Sequence, residues 1–139
     1  MKSVLKNILA ILVGLICGGI INMSLVNVGL MIIPPPEGLD ISTTEALVIA
    51  MPSFKPINFL FPFLAHAFGT FTGAIIAGLI APKHKARFAF SIGLIFLIAG
   101  IMMAFQLPAP NWFSIVDVVF AYIPMAWMAG RLIENKYSK

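Results

Sequence analysis

Charged residues are scarce in this sequence. Asp, Glu, Lys and Arg make up only 10% of the 139 residues, whereas 60% of the residues are hydrophobic. Soluble domains are usually about 45–50% apolar and about 25% charged, and so short a chain cannot hide this much apolar surface from water. Disorder is excluded as well, because disordered chains combine low hydrophobicity with high charge. The composition therefore predicts an integral membrane protein.

The sequence also lacks the motifs that carry most enzyme chemistry. It contains no phosphate-binding Gly-Lys-Ser/Thr loop, no Gly-x-Ser-x-Gly nucleophile motif and no Cys-x-x-Cys pair. The two histidines, His66 and His84, lie 18 residues apart and cannot ligate one metal or haem together, so neither a metal site nor a cofactor is predicted. The single Cys17 cannot form an intramolecular disulfide and is interpreted as a small packing residue.

Four long apolar runs are present instead. Each is at least as long as the roughly 20 residues that a helix needs to cross a hydrocarbon core about 30 Å thick. The runs are continuous rather than alternating in polarity, which favours helices over barrel strands. The predicted fold is a single domain, 1–139, that forms an all-α four-transmembrane-helix bundle. The predicted spans are about 4–33, 57–81, 86–107 and 112–133, with an outer loop at 34–56.

Prolines and caps refine these boundaries. Pro34-Pro35-Pro36 is expected to end the first helix, and Asn58 is a candidate N-cap for the second. Pro124 falls inside the fourth span, where it removes the hydrogen bond to the carbonyl of Phe120 and should kink the helix.

The outer loop contains a predicted short helix. Ser42-Thr43-Thr44-Glu45 matches a capping box, and the apolar segment 46–51 follows before Pro52. We expect this helix to lie in the membrane interface between the first two spans. It is either an anchored connector or a lid over a cavity between the spans.

Basic side chains set the expected orientation. Positively charged residues next to short loops remain on the cytoplasmic side. Both termini are therefore expected to be cytoplasmic (N-in/C-in) in a bacterial-type plasma (inner) membrane. The first run far exceeds the 7–15 apolar residues of a signal peptide, so we expect it to be kept as a span. Eight of the nine cations share the predicted cytoplasmic ends: Lys2, Lys6, Lys83, Lys85, Arg87, Arg131, Lys136 and Lys139.

The same distribution predicts the partners. The pI of about 9.5 is explained by cations at one membrane face, where Lys83, Lys85 and Arg87 would contact anionic lipid headgroups. Nucleic-acid binding is rejected for this reason.

Small residues recur four apart, which lets helices approach closely and predicts a compact bundle or the seam of a homo-oligomer. These stripes are Ala10, Gly14 and Gly18 on the first span and Ala65, Gly69, Gly73 and Ala77 on the second.

Polar residues inside the spans are the candidate functional residues, because polar groups are costly in hydrocarbon. They are concentrated in the outer half of the spans, which suggests a pocket that opens outward. His66 and Asp117 are the strongest candidates, since an imidazole and a carboxylate can share a proton, bind a cation or orient a polar ligand. The candidate wall residues are Asn22, Asn27, Thr70 and Tyr122.

Each of these residues also has a purely structural interpretation. Asp117 could lie at the headgroup level in the first turns of its helix, where an acid is favourable. His66, Asn22 and Asn27 could serve only as interhelical hydrogen-bonding residues. Asn22 and Asn27 also lie about 140° apart around a helix, so both cannot face one pocket without distortion.

Three functions are compatible with the sequence. The leading hypothesis is an oligomeric membrane protein that binds or transports a small solute, ion or lipidic molecule through the polar pocket. The second is an accessory or structural subunit of a larger membrane complex. The third, ranked last because no nucleophile or metal is evident, is an outer-leaflet enzyme with His66 as general base.

Overall fold

The computed structural model describes residues 2–137, and these are arranged as an all-helical bundle. Four segments are long and apolar enough to cross a membrane, which confirms the four predicted apolar helices. Two short 3₁₀ turns, Met51–Ser53 and Pro56–Phe59, follow α2. The α-helices are α1 (Lys2–Ile32), α2 (Thr44–Ala50), α3 (Leu60–Ile80), α4 (Lys85–Gln106), α5 (Asn111–Phe120) and α6 (Ile123–Tyr137).

Helix α3 packs against α1, α4 and α6, and α1 also approaches α4 at Gly14 and Gly18. Small residues allow the close packing that the sequence predicts: a Cβ atom on Gly18 would lie 2.7 Å from the carbonyl oxygen of Gly69, and one on Gly73 would lie 2.6 Å from that of Gly14. Helices α1 and α3 therefore run antiparallel along this line of contact between glycines, which we call the seam. The buried core beside it contains Ala74, Ala77, Ala89, Ile92, Ala126, Ala129 and Ile133.

The fourth apolar segment is interrupted, as Pro124 predicts. The Ala121 N–H donates to the carbonyl of Asp117 in the last turn of α5, and the Ala126 N–H donates to the carbonyl of Tyr122 in the first turn of α6. Residues 121 and 122 lie between the two helices. Since Pro124 has no N–H to bond Phe120, the backbone can change direction here, and both Ala121 and Tyr122 are buried.

The predicted caps at the outer loop are corrected in two places. Thr43, not Ser42, is the N-cap of α2, and its Oγ1 accepts the N–H of Ala46 at 3.1 Å. In a capping box, the Ser42 N–H would bond the side chain of Glu45, but it donates to Asp40 Oδ1 at 2.8 Å instead. This bond also lowers the pKa of Asp40 below its usual value. The helix consequently starts one residue later than the capping-box pattern predicts.

Asn58 does not cap α3. It lies inside the turn Pro56–Phe59, because Pro56 starts this turn ahead of the helix. Its Oδ1 accepts the N–H of Lys55 at 2.9 Å, and its Nδ2 donates to the carbonyl of Pro34 at 3.1 Å. Asn58 therefore ties the start of α3 to the end of α1. We call this end of the bundle the outer end.

The opposite end, called the inner end, carries the turn between α3 and α4. Lys85 Nζ donates to the carbonyls of Gly78, Leu79 and Ala81 at 2.9–3.2 Å and lies 4.8 Å from the centre of the Tyr137 ring. Its ammonium group therefore caps the last turn of α3. Contact with lipid headgroups remains a prediction for Lys85 and for the exposed Lys83 and Arg87.

Candidate functional site

His66, Asp117 and Tyr122 form a hydrogen-bonded cluster between α3 and the interrupted fourth segment. His66 Nδ1 lies 2.8 Å from Asp117 Oδ1 and 2.9 Å from Oδ2. The Tyr122 hydroxyl donates to Asp117 Oδ2 at 2.9 Å, and its ring stacks on the imidazole with the ring centres 5.7 Å apart. The structure thus brings together the two strongest sequence candidates and one of the predicted wall residues.

Asp117 is buried, with only 5% of its surface exposed. Asp117 is the seventh residue of α5 and lies outside its first turn, so the favourable effect of an acid at a helix N-terminus does not account for its position. Burial of a carboxylate in a bundle of apolar helices is costly unless it is paired and hydrogen-bonded. His66 and Tyr122 supply the required partners.

Two backbone features make room for the cluster. The interruption before Ile123 directs Tyr122 toward the bundle interior, where only 2% of its surface is exposed. On α4, a Cβ atom at Gly100 would collide with the Tyr122 hydroxyl group. Gly100 is therefore a positioning residue for Tyr122. It could not be identified from the sequence, because a glycine in a span also fits ordinary helix packing.

The cluster leaves one ring nitrogen of His66 available. When Asp117 is a carboxylate, it acts only as an acceptor, so His66 Nδ1 carries a proton and donates to it. In a neutral ring, Nε2 then presents a lone pair. The carboxylate fixes both the tautomer and the ring orientation, as in sites where a histidine accepts a proton or binds a ligand.

A first cavity of about 280 Å³ lies at the outer end, and His66 is part of its wall. The outer loop covers it through Leu47, Met51 and Phe54, which line the cavity and pack with Phe59 and Phe113 in one apolar cluster. The apolar packing is expected of an anchored connector and of a lid alike, and the cavity beneath the loop is the feature that a lid would cover. We call this space the outer cavity.

A second cavity of about 290 Å³, which we call the mid-bundle cavity, also has His66 in its wall. Thr70 is almost completely buried there, with 1% of its surface exposed, and its Oγ1 has no hydrogen-bond partner among residues 2–137. His66 is the one residue that lines both cavities in the part of the chain the structure describes. The mid-bundle cavity is lined by Gly19, Asn22, Met23, His66, Thr70, Phe96, Ala99 and Tyr122.

The structure places five of the six predicted site residues in one region and separates the sixth. Asn22, Thr70 and Tyr122 join His66 around the mid-bundle cavity, with Asp117 bonded behind the imidazole. Asn27 lies on the exposed face of α1 and lines neither cavity. The reason is helical geometry: five residues advance the direction of a side chain by about 140°, so Asn22 and Asn27 point to different sides of α1.

The outer cavity was not predicted in detail. Most of its lining residues are apolar and come from the loop, the end of α1 and the turn before α5, where no polar pattern identifies a site. Aromatic residues on both sides of the loop were the available signal. Within residues 2–137, no group of three or more His, Cys, Asp or Glu side chains could hold a metal ion.

No protein-family model matches the chain, and no curated protein or solved structure shows significant similarity to it.

Proposed function

We propose that this protein is a multi-pass plasma-membrane protein that binds or transports a small solute or lipidic molecule, with His66 as the ligand-contacting residue. The observation that carries the proposal is the position of His66: its ring lines both cavities while Asp117 holds Nδ1. Ligand sites are typically apolar pockets with a few fixed polar groups, and the two cavities have this character.

The expected orientation makes the pocket accessible from outside. The loop that covers the outer cavity contains Glu37, Asp40 and Glu45, and most cations lie at the inner end. By the positive-inside rule, the inner end would face the cytoplasm. A ligand would then enter beneath the loop from the outer leaflet or the external medium. We also expect a homo-oligomer, since four helices alone enclose little volume.

A histidine variant with a matched control tests the proposal. Wild-type protein, His66→Ala and His84→Asn are purified in mild detergent, and bound small molecules are extracted and identified by mass spectrometry. His84 is an exposed residue with φ of 52°, a conformation that asparagine tolerates. We expect a molecule to be retained by the wild type and by His84→Asn and to be absent from His66→Ala.

Equal small-molecule content in all three proteins would overturn the proposal. Size-exclusion elution and helical circular dichroism of His66→Ala verify that the variant is folded. A stoichiometric foreign protein in native mass spectra, with no small molecule bound, would favour the accessory-subunit function instead.

A second candidate function is supported by the same hydrogen bond. An imidazole whose Nδ1 is held by a carboxylate is the arrangement of a general base, with Nε2 as the proton-accepting atom. Thr70, which lines a cavity with His66, is the candidate nucleophile. An outer-leaflet enzyme would convert added lipid substrates in proteoliposomes in a His66-dependent manner, whereas a binding protein would return them unchanged.

A further inference from the structure

The mid-bundle cavity contains hydrogen-bonding capacity that the folded chain does not use. A buried hydroxyl without a partner is unfavourable, yet Thr70 Oγ1 is in this state among the described residues. Asn22 and Tyr122 line the same space. Since one water takes up about 30 Å³ of liquid volume, a cavity of about 290 Å³ accepts several waters or the polar end of an organic molecule. The wall of this cavity therefore combines a small number of hydrogen-bonding groups with apolar residues.

The charge around the two cavities indicates a neutral ligand. Neither cavity is lined by Lys, Arg, Asp or Glu within residues 2–137. Asp117 is the nearby acid, and both its oxygens already accept hydrogen bonds from His66 and Tyr122. An ionic ligand would lie among apolar helices without a free counter-ion, which is costly.

The outer cavity indicates that the rest of the ligand is hydrocarbon. Apart from Asn58 and His66, its wall consists of aliphatic, aromatic, Gly and Pro residues. A cavity lined in this way favours an apolar body by burial of hydrophobic surface. His66, shared by the two cavities, is where the apolar part and the polar end of one molecule would meet.

We propose that the ligand is a neutral amphiphile, an alcohol or related hydroxyl compound, whose polar end occupies the mid-bundle cavity and bonds Thr70. Its hydrocarbon chain lies in the outer cavity, and its polar group passes the Nε2 side of His66. This inference rests on the proposed function and adds the ligand class and a second binding residue, Thr70. The Thr70 hydroxyl both donates and accepts, which matches another hydroxyl group.

Photolabelling with a matched series of probes tests this assignment. Decanol, decanoate and decylamine, each with a diazirine in the chain, are added at neutral pH to the protein in phosphatidylcholine nanodiscs. Labelling of lipid-facing residues rises linearly with probe concentration, whereas labelling of a site saturates. We expect saturable labelling by decanol alone, with loss of saturation in His66→Ala.

Two substitutions at Thr70 separate a binding role from a packing role. Thr70→Val removes the hydroxyl, so we expect about threefold to tenfold weaker apparent affinity for decanol. Without ligand, the same variant should melt at a higher temperature, because the unpartnered hydroxyl has been removed. Thr70→Ser keeps the hydroxyl, so its apparent affinity for decanol should stay within about twofold of the wild-type value. Loss of one hydrogen bond would weaken that affinity by up to about tenfold.

The outcomes distinguish this inference from the function on which it rests. His66-dependent saturation by decanoate or decylamine, but not decanol, overturns the neutral class and leaves a His66 binding site intact. Unchanged decanol affinity in Thr70→Val overturns the role of Thr70. The absence of His66-dependent saturation by all three probes overturns the ligand class, and the proposed function then depends on the extraction experiment.

Discussion

The seam between α1 and α3 can be tested with two adjacent glycines. Gly18 faces α3, and a Cβ atom there would lie 2.7 Å from the Gly69 carbonyl oxygen and 2.9 Å from the Phe96 ring. Gly19, the next residue, has no atom of the described chain within 4 Å of its Cβ position. Gly18→Ala and Gly19→Ala therefore make the same chemical change with opposite consequences for packing.

The expected magnitudes follow from two competing terms. Replacing a helical glycine by alanine favours the helix by about 1 kcal/mol. At Gly18, the contact with the Gly69 backbone is too short to be relieved by a side-chain rotation, and overpacking of this kind costs about 1–3 kcal/mol. We therefore expect Gly18→Ala to be destabilised by about 1 kcal/mol net, and Gly19→Ala to be stabilised by up to about 1 kcal/mol.

Unfolding in a denaturing detergent, followed by circular dichroism, measures both variants against the wild type. The separation between the two variants should be about 2 kcal/mol, which is well above the error of a careful titration. Equal stability of Gly18→Ala and Gly19→Ala would refute the close approach of α1 to α3. Because Phe96 also lines the mid-bundle cavity, Gly18→Ala should in addition weaken ligand retention.

Three further predictions concern the cluster, the inner end and the orientation. Tyr122→Phe removes one hydrogen bond to Asp117 and should cost about 1 kcal/mol in thermal unfolding; no change would show that this bond is not formed. Lys85→Met removes the cap of α3 and should lower the melting temperature, whereas Lys83→Met, at an exposed position, should not. In a cysteine-free background, a membrane-impermeant maleimide should label Lys55→Cys and not Lys83→Cys in intact cells, and the reverse pattern would contradict N-in/C-in.

The helical segments could be predicted from the sequence because they depend on local properties. Length and apolarity define a segment that can span a bilayer, and Pro124 interrupts the helix through its own missing N–H. Caps were less predictable. The Ser42 N–H bonds Asp40, and the Asn58 side chain bonds Lys55 and Pro34. Which partner such a group takes depends on contacts that no short sequence pattern contains.

The site was predictable in its residues but not in its geometry. The cost of burying polar groups identified His66 and Asp117 as candidates, while their contact depends on how α3 and α5 are rotated about their axes. Asn27 illustrates the limit: its polarity is equal to that of Asn22, yet helical rotation places it on the exposed face. The outer cavity depends on how the loop folds over the bundle, which apolar composition alone does not determine.

The two ring nitrogens of His66 report directly on whether this side chain contacts a ligand. In His84→Asn, His66 is the single histidine of the sequence, so a nitrogen-15 NMR spectrum in lipid bilayers reports its two ring nitrogens without overlap. We expect Nδ1 to be protonated and bonded to Asp117 with and without ligand, and the Nε2 resonance to shift when the co-purifying molecule is added back. An Nε2 resonance that is unchanged by the ligand at saturation would contradict a binding site at His66.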